Sequence, residues 1–324
     1  MKSPLSTINE SPFNDYFSCI DGLVFYGYNE YSHEGGVKML YKKKVASQDF
    51  TSAQLPKNRI ESILDICKSR FMTLLGLGLI LGIFGLPMLV HLLLSNITVY
   101  EINLAYSLNQ VTQAEASTQL FNAFTFRHAM NIPLLMLLGI GLSGVTRILR
   151  QLLWQEPIFI FHDFKLGVQS TGKYTLLMMG LFGIINLLFQ MILRQPSLEQ
   201  DTLFYISALM IALTALVFIL LLGYYSWVQN SLYQLTFKAL FKNSLMFAMR
   251  YFFKTIALFM VFLPWLLLLL PYPFGFMLVI GLLTIVILPV ELLILLAFGL
   301  DIMDQTINQY HHPSIYRKGL WPHE

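Results

Sequence analysis

Charge is scarce in this sequence. Asp, Glu, Lys and Arg make up only 12% of its 324 residues, against about a quarter in an average soluble domain. A chain this long could bury a sizeable core in water but would still need a charged shell, and there are too few charges to build one. Cysteine is scarcer still. Cys19 and Cys67 stand far apart and outside any CxxC spacing, which argues against a disulfide framework or a cysteine zinc site and reads as two free thiols. Residues 1–31 hold Asp15, Asp21 and Glu30 and no apolar core of the kind a cleavable signal needs.

Catalytic signatures are thin as well. His33-Glu34 lacks the second histidine of a zinc HExxH site. No glycine-rich phosphate loop or Ser/His/Asp grouping stands out, and His311-His312 reads as a solvated pair. Asp301 and Asp304 share one helical face at a spacing that can hold Mg²⁺ beside a phosphate, but no opposing acidic motif accompanies them. The expectation is a protein that is not an enzyme and carries no cofactor or metal.

What the chain has in abundance is apolar length. Hydrophobic residues are 56% of the total and the mean hydropathy is +0.62. The first long run, residues 71–94, would rise about 36 Å as a helix, enough to cross a hydrocarbon core of about 30 Å with some tilt. Five more candidates follow at about 130–149, 174–193, 203–225, 251–270 and 274–299. The span at 130–149 has the shortest uninterrupted core and ends in Arg147 and Arg150. Pro271-Tyr272-Pro273 separates the last two and reads as a tight helical hairpin. The predicted fold is all-α, a polytopic membrane bundle of about six helices over 70–300. A polar, aromatic N-terminal head occupies 1–69 and a cytoplasmic tail 301–324.

The basic residues orient this bundle. Six spans put all but two of the 21 Lys and Arg on one side; Arg127 and Arg194 are the exceptions. The positive-inside rule then places both termini in the cytoplasm of a cell that carries the protein in its plasma membrane. Lys42-Lys43-Lys44 reads as a solvated flank, with an anionic lipid surface or RNA as alternatives; the lipid bilayer is the expected partner and nucleic acid is not. Within the head, Asp21-Gly22 resembles the turn of a short hairpin.

Outside the spans, residues 96–130 form the one long external loop, with 109–124 predicted as an amphipathic helix on the outer surface. Asn96-Ile97-Thr98 within it matches a glycosylation sequon by pattern. The segments 156–174 and 227–254 mix aromatics with Lys, Arg and amides. They read as interfacial, or as docking segments for a cytoplasmic partner, with Asp163, Lys165, Lys238 and Lys242 as the residues facing lipid or partner. In the second, Leu232, Leu235, Ala239 and Phe241 recur near helical spacing. Gly78 and Gly82 make a GxxxG pair suited to close helix packing. Pro87, Pro264 and Pro289 are expected to kink their helices.

One carboxylate interrupts the apolar stretch 284–300: Glu291. It lies about 26 Å along its helix from the outer end at Phe274, and Arg147 about 22 Å from Ile132. These similar depths predict a Glu291–Arg147 pair, because an unpaired charge there costs a few kcal/mol on insertion scales. The alternative is a proton or cation site, with Asn186, Gln190 and His91 as polar lining.

Three stretches also carry a resemblance: 77–90, ending in Leu86-Pro87; 144–181, with Asp163-Phe164-Lys165-Leu166-Gly167; and the interfacial stretch before the final helical pair. Over about residues 60–300 the chain resembles the YesL-like family of bacterial membrane proteins, departing from it in the long polar head and the 96–130 insertion. That resemblance implies an accessory role beside a sugar importer, with transport-system subunits or a second copy as partners, and transfers no residue roles. The alternatives are a small transporter or channel using Glu291 and, last, a lipid-modifying enzyme.

Overall fold

The computed structural model describes residues 55–194, 202–260 and 274–321. The regular structure there is helical: α1 (Arg59–Ser69), α2 (Phe71–Ser107), α3 (Gln113–Leu153), α4 (Ile160–Leu193), α5 (Thr202–Leu232), α6 (Phe237–Arg250), α7 (Phe252–Phe259) and α8 (Phe274–Met303). A π-helical turn, Asp304–Asn308, and a last turn, α9 (Gln309–His311), extend α8. Five of these helices are long and apolar enough to cross a membrane. They contain the expected spans at 71–94, 130–149, 174–193, 203–225 and 274–299. Of the span expected at 251–270, α7 is the described part. The Asp21-Gly22 hairpin, Lys42-Lys43-Lys44, Pro264 and the Pro271-Tyr272-Pro273 hairpin lie outside the described residues.

The exterior of the bundle is suited to lipid rather than water. Ile83 on α2 is 70% exposed and Ile211 on α5 is 71% exposed, positions an aqueous surface would not favour. Buried side chains concentrate instead near one end: Leu74, Leu77 and Leu81 of α2, Ile148 to Leu153 of α3, Leu221 to Leu232 of α5 and Leu293 to Met303 of α8. This is also the end where α1, the C-terminal segment and exposed Lys165, Lys238, Lys242 and Arg250 gather, and it is called the basic end below. Arg194 stacks over Phe124 at the opposite end, 3.4 Å from the ring centre, next to the turn of helix carrying Arg127. The sequence had separated these same two residues from all the other cations.

The external loop is where structure and expectation differ most. Residues 96–130 are almost wholly helical, because α2 and α3 run to 37 and 41 residues, about 55 and 60 Å, well beyond a hydrocarbon core of about 30 Å. The connection shrinks to a turn around Asn109, whose φ of 54° is left-handed. Thr112 then caps α3 reciprocally with Glu115. Partway along the hairpin, Arg127 donates to Asn96 at 2.9 Å, and the His91 ring meets the Arg127 carbonyl at 3.2 Å. After Asn109 the Ala, Glu and Gln of the first turns of α3 are good helix formers, whereas Asn96–Tyr106 continues α2 in spite of its β-branched and polar residues; the result is two continuous helices, not a surface helix in a loop.

At the basic end the predicted segments shorten likewise. The loop expected at 156–174 reduces to Trp154–Phe159 before α4 begins, and the tail expected from 301 starts as helix. In 227–254 the chain breaks at Tyr233–Thr236, where Thr236 caps α6. That break shifts the register: Leu240, Asn243, Ser244 and Phe247 form the buried face of α6, not the expected series through Leu232 and Leu235.

The GxxxG pair has a definite role. Gly78 and Gly82 both face Ile285 on α8. A Cβ at Gly78 would lie 1.7 Å from the Ile285 carbonyl oxygen. That carbonyl is the one Pro289 leaves without its helical donor, since proline has no N–H. The freed oxygen therefore rests against the bare backbone of α2, an approach suited to a Cα–H···O contact. Gly78→Ala is expected to cost about 1–3 kcal/mol through overpacking. Gly76→Ala, with nothing within 4 Å of its Cβ position, should leave thermal unfolding of the detergent-solubilised protein unchanged or slightly improved; equal melting of the two variants would contradict the α2–α8 packing.

Candidate functional site

The site starts from small residues. A Cβ at Gly144 on α3 would lie 2.3 Å from the Phe164 ring, and one at Gly167 on α4 would lie 2.8 Å from the Ser143 carbonyl oxygen. These glycines let α3 and α4 cross in near backbone contact, which brings Arg147 of α3 beside the first turn of α4. There Asp163 is buried and fully used. Its two oxygens accept from the Gln151 amide at 3.0 Å and from the Phe159 backbone N–H at 2.7 Å. The second bond satisfies an orphan donor at the start of α4. Arg147 Nε stands 3.6 Å from Asp163 Oδ1, an ion pair beyond hydrogen-bonding distance.

Two expectations change here. Arg147 takes Asp163 as its carboxylate, where depth along the helices had suggested Glu291. Asp163 is 3% exposed, so it caps and pairs instead of facing lipid or a partner; Lys165, Lys238 and Lys242 are exposed.

Beyond Arg147 the three helices open into a cavity of about 530 Å³. From α3 come Thr146, Arg147 and Arg150; from α4, Ser170, Thr171 and Tyr174; from α5 and the break after it, Asn230 to Thr236. Its walls are tied together. The Trp227 indole donates to Thr146 Oγ1 at 2.7 Å, and the Asn230 amide donates to the Thr171 carbonyl at 3.1 Å. Arg150 donates to the Ser231 carbonyl and stacks on Trp154, 4.7 Å from the ring centre, so a cation sits at the C-terminus of α5. Arg147 is different: among the described residues its guanidinium makes no hydrogen bond, and its Nε is buried without one.

Behind the cavity floor runs a buried polar chain. Arg59 of α1 donates to Asp304 at 2.8 Å and to the carbonyls of Leu153 and Lys318 at 3.3 and 3.0 Å. Asn308 donates to the other Asp304 oxygen at 2.7 Å and accepts from the Tyr233 hydroxyl. Burial, with Asp304 near, pushes the Tyr233 hydroxyl well above its ordinary pKa, so it remains a donor. Both ends of this chain depend on the π turn, whose extra residue sets Asp304 and Asn308 on the inner face. The Asp301/Asp304 motif is thus divided: Asp304 is committed to Arg59, and Asp301 accepts from Gln305 at 2.8 Å.

The remaining sequence candidates lie elsewhere. Glu291 is 7% exposed, two residues past Pro289, and lines neither described pocket. Gln190 lines a small pocket at the opposite end with His128 and Arg194, His91 bonds there to the Arg127 carbonyl, and Asn186 is half-buried one turn away from Gln190 on α4. They do not form a single lining with Glu291 in either described pocket. Ser170, Thr171, Asn230 and Thr236 escaped the sequence reading; the only signal was two arginines three residues apart on one helical face.

No protein-family model, curated protein or solved structure matches the chain.

Arg59 and Asp304 are each about 5% exposed in their side chains. Removing one charge strands the other, so Arg59→Met is expected to cost about 3–5 kcal/mol. Adding Asp304→Leu should recover most of that loss. Thermal unfolding of the three variants in detergent checks the coupling, and simple additivity would show that the pair carries no shared energy.

Proposed function

We propose that the protein works by binding, as a non-catalytic, multi-pass component of a plasma-membrane transport assembly, with its basic end and both termini in the cytoplasm. The observation that carries the binding reading is the composition of the cavity. Its lining offers guanidinium, hydroxyl and amide groups but, among the described residues, no His, Asp, Glu, Lys or Cys. Hydroxyls without a base beside them make poor nucleophiles, whereas many convergent donors suit recognition of a polar ligand. The transport part of the proposal rests on the resemblance to YesL-like proteins. It is supported by an exposed face on α6 and α7 where Lys238, Lys242 and Arg250 alternate with Phe241, Met249 and Phe253. The cytoplasmic orientation rests on the positive-inside rule.

A second reading is favoured by one observation: Glu291 is a buried carboxylate within an apolar helix, two residues past Pro289, and ionisable residues so placed often serve as proton or cation sites. The two readings part experimentally. Recovery of the tagged full-length chain in mild detergent, from cells expressing it at native level, is expected to bring down transporter subunits in fixed stoichiometry. Glu291→Gln is expected to leave that recovery unchanged. Isolation of the protein alone, together with loss of ion-coupled uptake in Glu291→Gln, would replace the accessory reading with the carrier.

A further inference from the structure

We propose that the cavity between α3, α4 and α5 holds a phosphate group, with Arg147 as its principal donor. The inference rests on the binding reading above and names its ligand class. Arg147 lines the cavity with its fork of N–H donors unused by any hydrogen bond, and its carboxylate partner Asp163 is held at 3.6 Å by other commitments. A guanidinium placed this way matches two phosphate oxygens at once, which an ammonium does not. Ser170 and Thr171 stand on the facing wall, their hydroxyls donating to the Gly167 carbonyl at 3.2 and 2.9 Å, bonds that rotation of the hydroxyl exchanges for a phosphate oxygen; Asn230 on the third wall keeps a second amide N–H beside the one given to Thr171. Carboxylates are missing from the lining among the described residues; the one paired with Arg147, Asp163, stands outside it, 3.6 Å from Nε, with both oxygens accepting from Gln151 and Phe159. A volume of about 530 Å³ exceeds a bare phosphate and accommodates a phosphate ester.

Position narrows the carrier of that phosphate. Arg147 and Arg127 lie on one helix, separated by about 30 Å along its axis, the thickness of a hydrocarbon core. With Arg127 at one boundary, Arg147 sits at headgroup depth on the other. Tyr174 of the lining stacks on Phe237, 6.1 Å between ring centres and 8° from parallel, and Phe237 is 40% exposed. The rim is thus aromatic beside a cationic interior, the order of groups that a phospholipid presents in reverse. A soluble phosphate ester shares the same chemistry at its charged end.

The test uses the full-length chain in uncharged detergent and follows thermal unfolding. One series adds inorganic phosphate against sodium chloride at equal ionic strength. A second adds phosphatidylglycerol against diacylglycerol, which lacks the phosphate. Stabilisation by phosphatidylglycerol alone supports the headgroup source, and stabilisation by both supports a phosphate taken without its lipid. In either case Arg147→Gln is expected to weaken the response about 10- to 100-fold, the scale of a lost charge-assisted pair. Because Arg147 also faces Asp163, Ser170→Asp serves as a second variant: it leaves Arg147 in place, puts a carboxylate on the opposite wall and should abolish the response. Lys68→Gln, exposed on α1 and outside the lining, should respond as the unaltered protein does. No stabilisation in either series, or an unchanged response in Arg147→Gln and Ser170→Asp, overturns the proposal. Stabilisation by citrate but not phosphate overturns it too, while leaving the cavity as a binding site.

Discussion

The buried Arg59–Asp304 pair is the contact on which the basic end depends. Arg59 precedes the first membrane helix and Asp304 follows the last described one, so a single ion pair closes the chain upon itself. Arg59 Nη1 reaches carbonyls at the end of α3 and in the C-terminal segment, while its Nε is buried without a hydrogen bond among the described residues. Two charges taken out of water are costly, and each hydrogen bond to them offsets part of that cost; here Asn308 takes the second oxygen of Asp304. Through Asn308 and Tyr233 the same network reaches the break after α5, which is one wall of the cavity. Nothing in a bilayer supplies water to mend such a network once broken.

The two ends of the molecule follow different physics. Near the basic end, side chains interlock and polar groups are paired across four helices. Toward the other end, the long hairpin of α2 and α3 is held by a few specific contacts, among them Arg127 with Asn96 and His91 with the Arg127 carbonyl. Apolar side chains on the outside lose nothing in lipid, so the bundle has no hydrophobic incentive to bury them. Order is concentrated where polar groups must find partners, and the cavity lies there.

The long helices and the division of the cations between two ends were legible in the sequence because both are one-dimensional signals: apolar length marks the spans, and Arg127 and Arg194 are segregated from the other cations. Glycine spacing likewise pointed to the α2–α8 contact. The partner of Arg147 was not legible. Depth along a helix axis can be counted from residue numbers, and it made Glu291 a fair candidate; the direction a side chain takes around that axis depends on how helices cross. Gly144 and Gly167 set that crossing and turn Arg147 toward α4. The cavity was hidden for a related reason. Thr146, Ser170, Thr171, Asn230 and Thr236 are unremarkable singly and become a lining only when three helices converge. The helices over residues 96–130 were not legible, because a polar stretch rich in Asn and Thr suits a loop as well as the continuation of a long helix.

The central claim is that an open, polar cavity faces the aqueous side on which the termini lie. Cysteine accessibility in sealed vesicles tests it most directly. In a chain freed of Cys19 and Cys67, Ser170→Cys in the cavity and Asn109→Cys at the hairpin tip are labelled separately with a membrane-impermeant maleimide. The account expects Ser170→Cys to react only in inside-out vesicles and Asn109→Cys only in right-side-out ones. Reaction of both from the same side, or no reaction of Ser170→Cys from either, would contradict it.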